Sequence, residues 1–274
     1  MQLLLLGTGT PDPDPRRCGS GTAILPDSSA PWLLIDCGRG VTQRAIEAGL
    51  DLARLDAVLL THHHSDHISD LATLAISRFI AGASAPLRVV VPDGPCRRFA
   101  ERCLDAFDDQ SFYSQRSVGS SERPQIEVDA FRATKDLRTV LRDEPWTVQS
   151  VLVEHHPIEA AVGYRIGDGT ATVAISGDTI VGPGVAQLAQ DADVLLHQAL
   201  RTDLVTAEAL RWNAAARSVG ELAAESQVAR LILTHLMPAP ANSREEQAFL
   251  DEARSGGYRG SISVAHDLDR FTLP

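Results

Sequence analysis

Short apolar runs, each bounded by charged or turn-forming residues, recur from one end of the chain to the other. They are rich in Val, Ile and Leu, which favour the pleated, half-buried surface of a β-sheet. We therefore predict β-strands at 2–6, 22–25, 32–36, 57–61, 87–91, 125–128, 147–153, 162–166, 172–176, 194–197, 231–234 and 261–264. The sequence Gly-Asp-Gly at 167–169 joins two of these strands and is typical of a hairpin turn.

Segments between the strands place apolar residues at helical spacing. They predict helices at 40–48, 68–80, 96–107, 184–190, 205–227 and 244–255. Ser243 is the expected N-cap of the last helix, with Glu246 three residues further on as its capping-box partner. Strands and helices alternate throughout, which is typical of an α/β protein. Because no low-complexity linker divides the chain, we expect one domain over residues 1–274.

Two features depart from this regular alternation. Residues 110–124 are rich in Ser, Gln and Arg without a clear period, and we interpret them as a loop or a mobile insertion. Residues 58–62 and 231–235 are both apolar strands that end in Thr-His. Two strands that each deliver a histidine at their carboxyl end indicate two related halves that meet at one site.

Composition and charge narrow the class of protein. The chain has 274 residues, and no stretch approaches the ~18 apolar residues that a membrane span needs. Its apolar start is too short for a signal-peptide core, so we expect a cytoplasmic protein without a membrane partner. The four cysteines form no CxxC pair and are expected to be reduced and structural. The net charge of −11 would repel a polyanion over most of the surface, which argues against nucleic acid as a partner without excluding it.

The strongest chemical signal is the sequence Thr-His-His-His-Ser-Asp-His at residues 61–67. It follows a predicted strand and precedes a predicted helix, so a loop there can direct alternate side chains into one cleft. Imidazole and carboxylate groups are ligands for zinc and other divalent transition metals. A solvent-exposed histidine run is the alternative, but it would need neither a buried strand before it nor the isolated histidines later in the chain. We therefore expect a metal site.

The pattern His62-x-His64-x-Asp66-His67 resembles the signature of the metallo-β-lactamase superfamily. Further motifs follow in chain order and resemble its ribonuclease Z and arylsulfatase-like branch: Leu-Gly-Thr-Gly-Thr-Pro at 6–11, Ile-Asp-Cys-Gly-Arg-Gly at 35–40, Gly-Tyr-Arg-Ile at 163–166, Ser-Gly-Asp-Thr at 176–179 and Leu-Thr-His at 233–235. The resemblance implies a four-layer αββα sandwich, in which two mixed β-sheets are flanked by helices and the metals lie at one edge of the sheets.

The resemblance also implies two divalent metal ions, with zinc expected and manganese or iron as alternatives. The first ion would take His62, His64 and a histidine ahead of the Gly-Tyr-Arg strand. His155 and His156 are the candidates for this third ligand, and the spacing favours His155. For Asp36, a role in fixing a turn and hydrogen bonds behind the ligands stands beside direct metal binding.

The second ion would take Asp66, His67 and His235, and Asp178 would bridge both ions. Two such ions lower the pKa of a shared water and clamp an anionic centre. The implied chemistry is therefore attack of a metal-bridging hydroxide on an ester. We expect Asp66 and His197 to be catalytic, His197 by protonating the leaving group.

The chain departs from the ribonuclease Z pattern near this last histidine. Where that family has His-Glu-Ala-Thr, this chain has His-Gln-Ala-Leu, so that the neutral Gln198 stands where a carboxylate would orient a histidine. A His-Ser-Thr stretch of the family corresponds here to Asn213-Ala-Ala, which has no titratable side chain. A buried structural histidine is therefore an equal alternative for His197.

A second departure concerns RNA binding. Many ribonuclease Z proteins carry a tRNA-clamping arm between the third histidine and the bridging aspartate, and the segment from His155 to Asp178 is too short for one. Residues 110–124 contain Arg116 and Arg123 but no lysine, and Phe112 and Tyr113 are their only aromatic residues.

These departures and the net charge lead to three hypotheses. The first is a metal-dependent hydrolase of a small anionic ester, either a phosphodiester or a sulfate ester. The alternative is a ribonuclease Z-like endoribonuclease that processes tRNA 3′ ends, as a homodimer whose partner supplies RNA-binding surface. A non-hydrolytic redox or metal-binding protein is the third, and the complete set of ligands disfavours it.

Overall fold

The computed structural model describes residues 1–107 and 123–273. The predicted loop at 110–124 lies outside these ranges except for its last two residues. The strands of the described ranges are β1 (Gln2–Gly7), β2 (Gly21–Leu25), β3 (Trp32–Ile35), β4 (Leu55–Leu59), β5 (Leu87–Pro92), β6 (Ile126–Phe131), β7 (Arg138–Asp143), β8 (Trp146–Leu152), β9 (Val162–Gly167), β10 (Thr172–Ile175), β11 (Val194–Leu200), β12 (Arg230–Met237), β13 (Ser261–Val264) and β14 (Arg270–Thr272).

The helices of the same ranges are α1 (Val41–Glu47), α2 (Ser65–Ile68), α3 (Leu71–Ile80), α4 (Pro95–Arg102), α5 (Pro183–Ala189), α6 (Ala216–Glu225) and α7 (Ser243–Ser255). None of the described helices is long and apolar enough to cross a lipid bilayer.

The strands form two mixed sheets of seven strands each within the described ranges. The first sheet has the order β14-β1-β2-β3-β4-β5-β6, and its strands from β3 to β6 run parallel. The second has the order β13-β12-β11-β10-β9-β8-β7, and its strands from β10 to β13 run parallel. The carboxyl ends of parallel strands are where open α/β sheets bind ligands. The histidine loop after β4 and His235 in β12 both lie there.

Three apolar clusters of described residues fill the layers. One cluster combines residues of both sheets, including Leu5, Ile24, Tyr164 and Ile232, and therefore lies between them. A second packs the first sheet against α1, α3 and α4, and a third packs the second sheet against α5, α6 and α7. This αββα sandwich confirms the fold that the sequence analysis predicts.

The structure corrects two predicted helical features. Only residues 216–225 of the predicted helix 205–227 are α-helical, because Ala214 and Ala215 are held beside β11, where the Leu200 amide donates to the carbonyl of Ala214. The N-cap of α7 is Asn242 rather than Ser243, since the Asn242 side chain accepts from the amides of Arg244 and Glu245. The edge strands β7 and β14 are absent from the predicted strands, because they are largely exposed and lack a clear apolar alternation.

Candidate metal centre

The histidine-rich loop connects the end of β4 to α2 and turns most of its polar side chains inward. His62, Asp66 and His67 are buried, and His64 is half-buried. A polar side chain in such a position costs free energy unless it is hydrogen-bonded or binds an ion. The loop is therefore not the solvent-exposed run that was the alternative.

Seven side chains of the described residues converge in two groups. Within each group the candidate ligand atoms all lie within 4.8 Å of one another. The groups are His62, His64, His155 and Asp178, and Asp66, His67 and His235. The structure thus brings together all the residues that the sequence analysis expects to bind metal.

Asp178, a member of the first group, also contacts two histidines of the second. One of its carboxylate oxygens is 3.6 Å from His67 Nε2, and the other is 3.5 Å from His235 Nε2 and 4.0 Å from His155 Nε2. A carboxylate that contacts ligands of both groups is placed to bridge two ions.

A hydrogen-bond network behind the ligands holds the loop. The Asp36 carboxylate accepts from His67 Nδ1 at 2.7 Å and from the Thr61 amide at 2.8 Å, and Ser20 Oγ is 3.3 Å away. The proton on His67 Nδ1 leaves His67 Nε2 free to bind metal. The structure therefore favours the role of Asp36 behind the ligands over direct metal binding.

Close backbone approaches fix the position of Asp66. A Cβ on Gly38 would collide with the Asp66 carbonyl oxygen, and one on Gly19 would lie 2.5 Å from the same atom. Asp36 and His235 have positive φ values of 59° and 47°, which non-glycine residues adopt rarely and mostly where the surrounding structure demands it. Glycines and strained residues thus shape the backbone around the cluster.

Among the described residues, several buried polar atoms of the cluster have no hydrogen-bond partner. They include His62 Nε2, His67 Nε2 and Asp66 Oδ1, all belonging to candidate ligands. Leaving such atoms unpaired costs roughly 1–3 kcal/mol each. A divalent cation bound by these imidazole and carboxylate groups would satisfy them, so the residues fit the metal that the cluster suggests.

The pKa shifts within the cluster also favour the binding of a cation. Burial and the neighbouring His67 lower the pKa of His62 well below its usual value. Burial would also lower the pKa of His67, but Asp36 and Asp178 outweigh it and raise that pKa well above its usual value. Burial would raise the pKa of Asp66, yet the hydrogen bond from His235 and the charge of His67 keep it lowered. Ionised carboxylates around a protonated imidazole are a place where a cation can replace a proton.

The two candidates for the third histidine occupy different environments. His155 is buried, and its Nε2 lies 3.3 Å from His64 Nδ1. The other ring nitrogen of His155 donates to the Trp212 carbonyl at 3.1 Å, which orients the ring. His156 is exposed and belongs to neither group. Spacing to the Gly-Tyr-Arg strand had favoured His155, and the geometry agrees.

His197 lies outside the cluster. Strand alternation places it on the same face of β11 as Leu195 and Ala199, which pack beneath the helices. Its Nδ1 donates to the carbonyl of Gln198 at 2.6 Å, and burial lowers the pKa of His197 to about 4. The catalytic role of His197 stays a prediction, and this location argues against it.

Gln198 and Asn213 are polar groups near the cluster whose roles the sequence analysis left open. Gln198 lines a narrow cavity together with His67, Asp178 and His235, and its amide donates to the Thr179 carbonyl at 2.7 Å. The side-chain oxygens of Gln198 and Asn213 are buried without a partner within the described ranges. Neither amide titrates, so neither supplies a proton at neutral pH.

An αββα sandwich that carries this cluster at the edge of its sheets defines a metal-dependent hydrolase that acts on ester bonds. The sequence of the chain agrees, because residues 31–236 match the family model of the beta-lactamase superfamily domain. The chain belongs to the metallo-β-lactamase superfamily, and ribonuclease Z proteins are its homologues.

The similarity to these homologues extends over the whole chain. Ribonuclease Z of Mycobacterium bovis (strain BCG / Pasteur) is 34% identical over 284 residues, covering 100% of this chain and 98% of that protein. Ribonuclease Z of Mycobacterium tuberculosis (strain H37Rv) is 33% identical over 281 residues, with the same coverage of both chains.

Solved structures support the fold. The metallo-β-lactamase fold protein YhfI from Bacillus subtilis superposes with a TM-score of 0.75 at 21% identity, covering 98% of both chains. The short form of human tRNase Z superposes with a TM-score of 0.74 at 20% identity, covering 100% of both.

Proposed function

We propose that this chain is a ribonuclease Z-type endoribonuclease that hydrolyses a phosphodiester bond near the 3′ end of tRNA precursors, and that residues 1–274 form one domain. The observation that carries the proposal is the similarity to ribonuclease Z over the whole chain, at 34% identity. It favours an RNA substrate over the small anionic ester that net charge and the missing arm led us to expect.

Local charge supports RNA binding despite the net charge of −11. Arg98 and Arg211 are exposed, and neither has an ion-pair partner within residues 1–107 and 123–273. Arg98 is close enough to His63, beside the cluster, to join burial in lowering the pKa of that histidine. Arg211 precedes Trp212, whose carbonyl binds His155. Free cations beside the site can hold phosphates even on an acidic protein.

The seven clustered residues would hold two divalent ions, and we propose zinc because imidazole and carboxylate ligands suit it. When bound, two such ions supply Lewis-acid stabilisation of the phosphoryl oxygens and a more acidic water. The chain itself positions these ligands: Asp36 holds His67, and the Trp212 carbonyl holds His155. Asp66, buried and ionised, is the residue that we propose to act directly at the reaction centre.

A substrate panel tests the proposal. Metal-loaded protein is assayed with a precursor tRNA, bis-p-nitrophenyl phosphate, p-nitrophenyl sulfate, an aryl ester and a lactone. We expect cleavage of the precursor and of the phosphodiester, both abolished in Asp178→Ala, with the exposed Asp136→Ala as the matched control. Turnover of the sulfate or the lactone with an intact precursor would refute the ribonuclease and favour the small-ester hydrolase.

A further inference from the structure

Trp212 differs from the other two tryptophans of this chain. Trp32 and Trp146 are 5% and 2% exposed, and their indole nitrogens donate to the carbonyls of Asp51 and Pro31. Trp212 is half-buried, and its indole makes no hydrogen bond or ring contact within the described ranges. It also packs against none of the three apolar clusters that the described residues form. Within the described ranges, the indole of Trp212 therefore keeps its apolar face and its N–H for another partner.

The backbone of Trp212 contacts one of the candidate metal ligands. Its carbonyl oxygen lies 3.1 Å from His155 Nδ1, on the side of that ring opposite to the nitrogen in the cluster. The backbone of Trp212 is therefore separated from the ligand cluster by one imidazole ring, that of His155. Its neighbour Arg211 adds an exposed cation. An aromatic surface beside a cation is the combination with which proteins bind single-stranded nucleic acid.

We propose that the indole of Trp212 stacks on a nucleobase that flanks the scissile phosphodiester. This inference rests on the proposed ribonuclease function and names the part of the substrate that the site reads, an unpaired nucleotide rather than a phosphate alone. Stacking on an aromatic face accepts any base, so Trp212 contributes affinity and position with little sequence preference.

The test removes each partner of the contact in turn. We assay two variants, Trp212→Ala and Trp212→Phe, on precursor tRNA with either normal or abasic nucleotides next to the cleavage site. The matched control is Leu204→Ala, which changes an exposed apolar residue of the same connection between β11 and α6. We expect Trp212→Ala to raise KM on the normal precursor by roughly 5- to 150-fold, the range of one base stack, with little change in kcat. Phenylalanine should restore part of the loss, and Leu204→Ala should cost nothing.

The abasic precursor separates stacking from a structural role. If Trp212 stacks on the missing base, wild type and Trp212→Ala should cleave it with equal KM. An equal loss on both precursors, or a fall in metal content of Trp212→Ala, would assign Trp212 to the support of His155 and overturn the inference. Unchanged KM on the normal precursor would overturn it while the ribonuclease function stands. Wild type that does not cleave the precursor refutes the proposed function, and the inference with it.

Discussion

The exchange Asp36→Asn tests whether the carboxylate behind the ligands sets the affinity for metal. Asp36 is 2% exposed and accepts hydrogen bonds from His67 Nδ1 and from the amide and hydroxyl of Thr61, at 2.7, 2.8 and 2.9 Å. Asparagine has nearly the same shape and tolerates the positive φ of 59°. The exchange therefore alters hydrogen bonding and charge while the backbone can stay in place.

The hydrogen bonds of Asp36 determine how much the exchange should weaken metal binding. The asparagine amide has one oxygen, so its NH₂ group must face either the Thr61 amide or the proton on His67 Nδ1. Two buried donors then oppose each other, at a cost of roughly 1–3 kcal/mol. Loss of such a partner of a metal-ligating histidine weakens metal binding by about 10- to 100-fold. The cost of the opposed donors and the loss of the histidine's partner predict a similar loss of metal affinity. This loss should affect the group of ligands that contains His67.

The assay titrates metal-free protein with zinc against a chromophoric chelator and resolves two binding steps. We expect Asp36→Asn to weaken the step that involves Asp66, His67 and His235 and to leave the other step nearly unchanged. Asp136→Asn is the control, at an exposed carboxylate that pairs with Arg138 and belongs to neither group of candidate ligands. Equal weakening of both steps, or no weakening, would show that Asp36 does not act through His67.

Three further predictions follow from individual contacts. His155→Ala should reduce the metal content of loaded protein from two ions per chain to about one, while His156→Ala, at an exposed residue, should keep both ions. Elemental analysis measures the metal content, and the reverse pattern would make His156 the ligand instead of His155. His197→Ala should slow substrates with good and poor leaving groups equally, because an imidazole with a pKa of about 4 is neutral at pH 7 and donates its one N–H to the Gln198 carbonyl. A selective loss of kcat/KM for poor leaving groups would restore His197 as the acid. Gly38→Ala should lower the free energy of unfolding by roughly 1–3 kcal/mol and also lower the metal content, because the added Cβ collides with the Asp66 carbonyl. Gly167→Ala, whose added Cβ would have its nearest contact at 3.5 Å, should lower it less. Chemical denaturation measures both, and equal losses would refute the steric argument.

The sequence by itself predicts an α/β fold, and its resemblance to the metallo-β-lactamase superfamily implies the αββα sandwich and all seven clustered residues, with the spacing favouring His155 over His156. Four of the seven lie within residues 62–67, where a local motif carries the chemistry. Alternating apolar runs and helical segments predict an α/β fold because burial of one face is a local property of the pattern. The Thr-His ends of two distant strands also indicate that their histidines meet, and the structure places them at one edge of the two sheets.

Only the tertiary structure determines the role of a residue whose neighbours come from distant parts of the chain. The spacing favours His155 over His156, but only the fold shows that His155 lies in the cluster, with its ring held by the carbonyl of Trp212, 57 residues further along. The same segment reads as a helix from its composition, but pairing beside β11 keeps residues 205–215 from forming one long helix with α6. Trp212 escaped notice because nothing in its neighbours along the chain distinguishes an aromatic residue at the site from one in the core. A side chain's partners across the fold, rather than its own pattern, determine which of these roles it has.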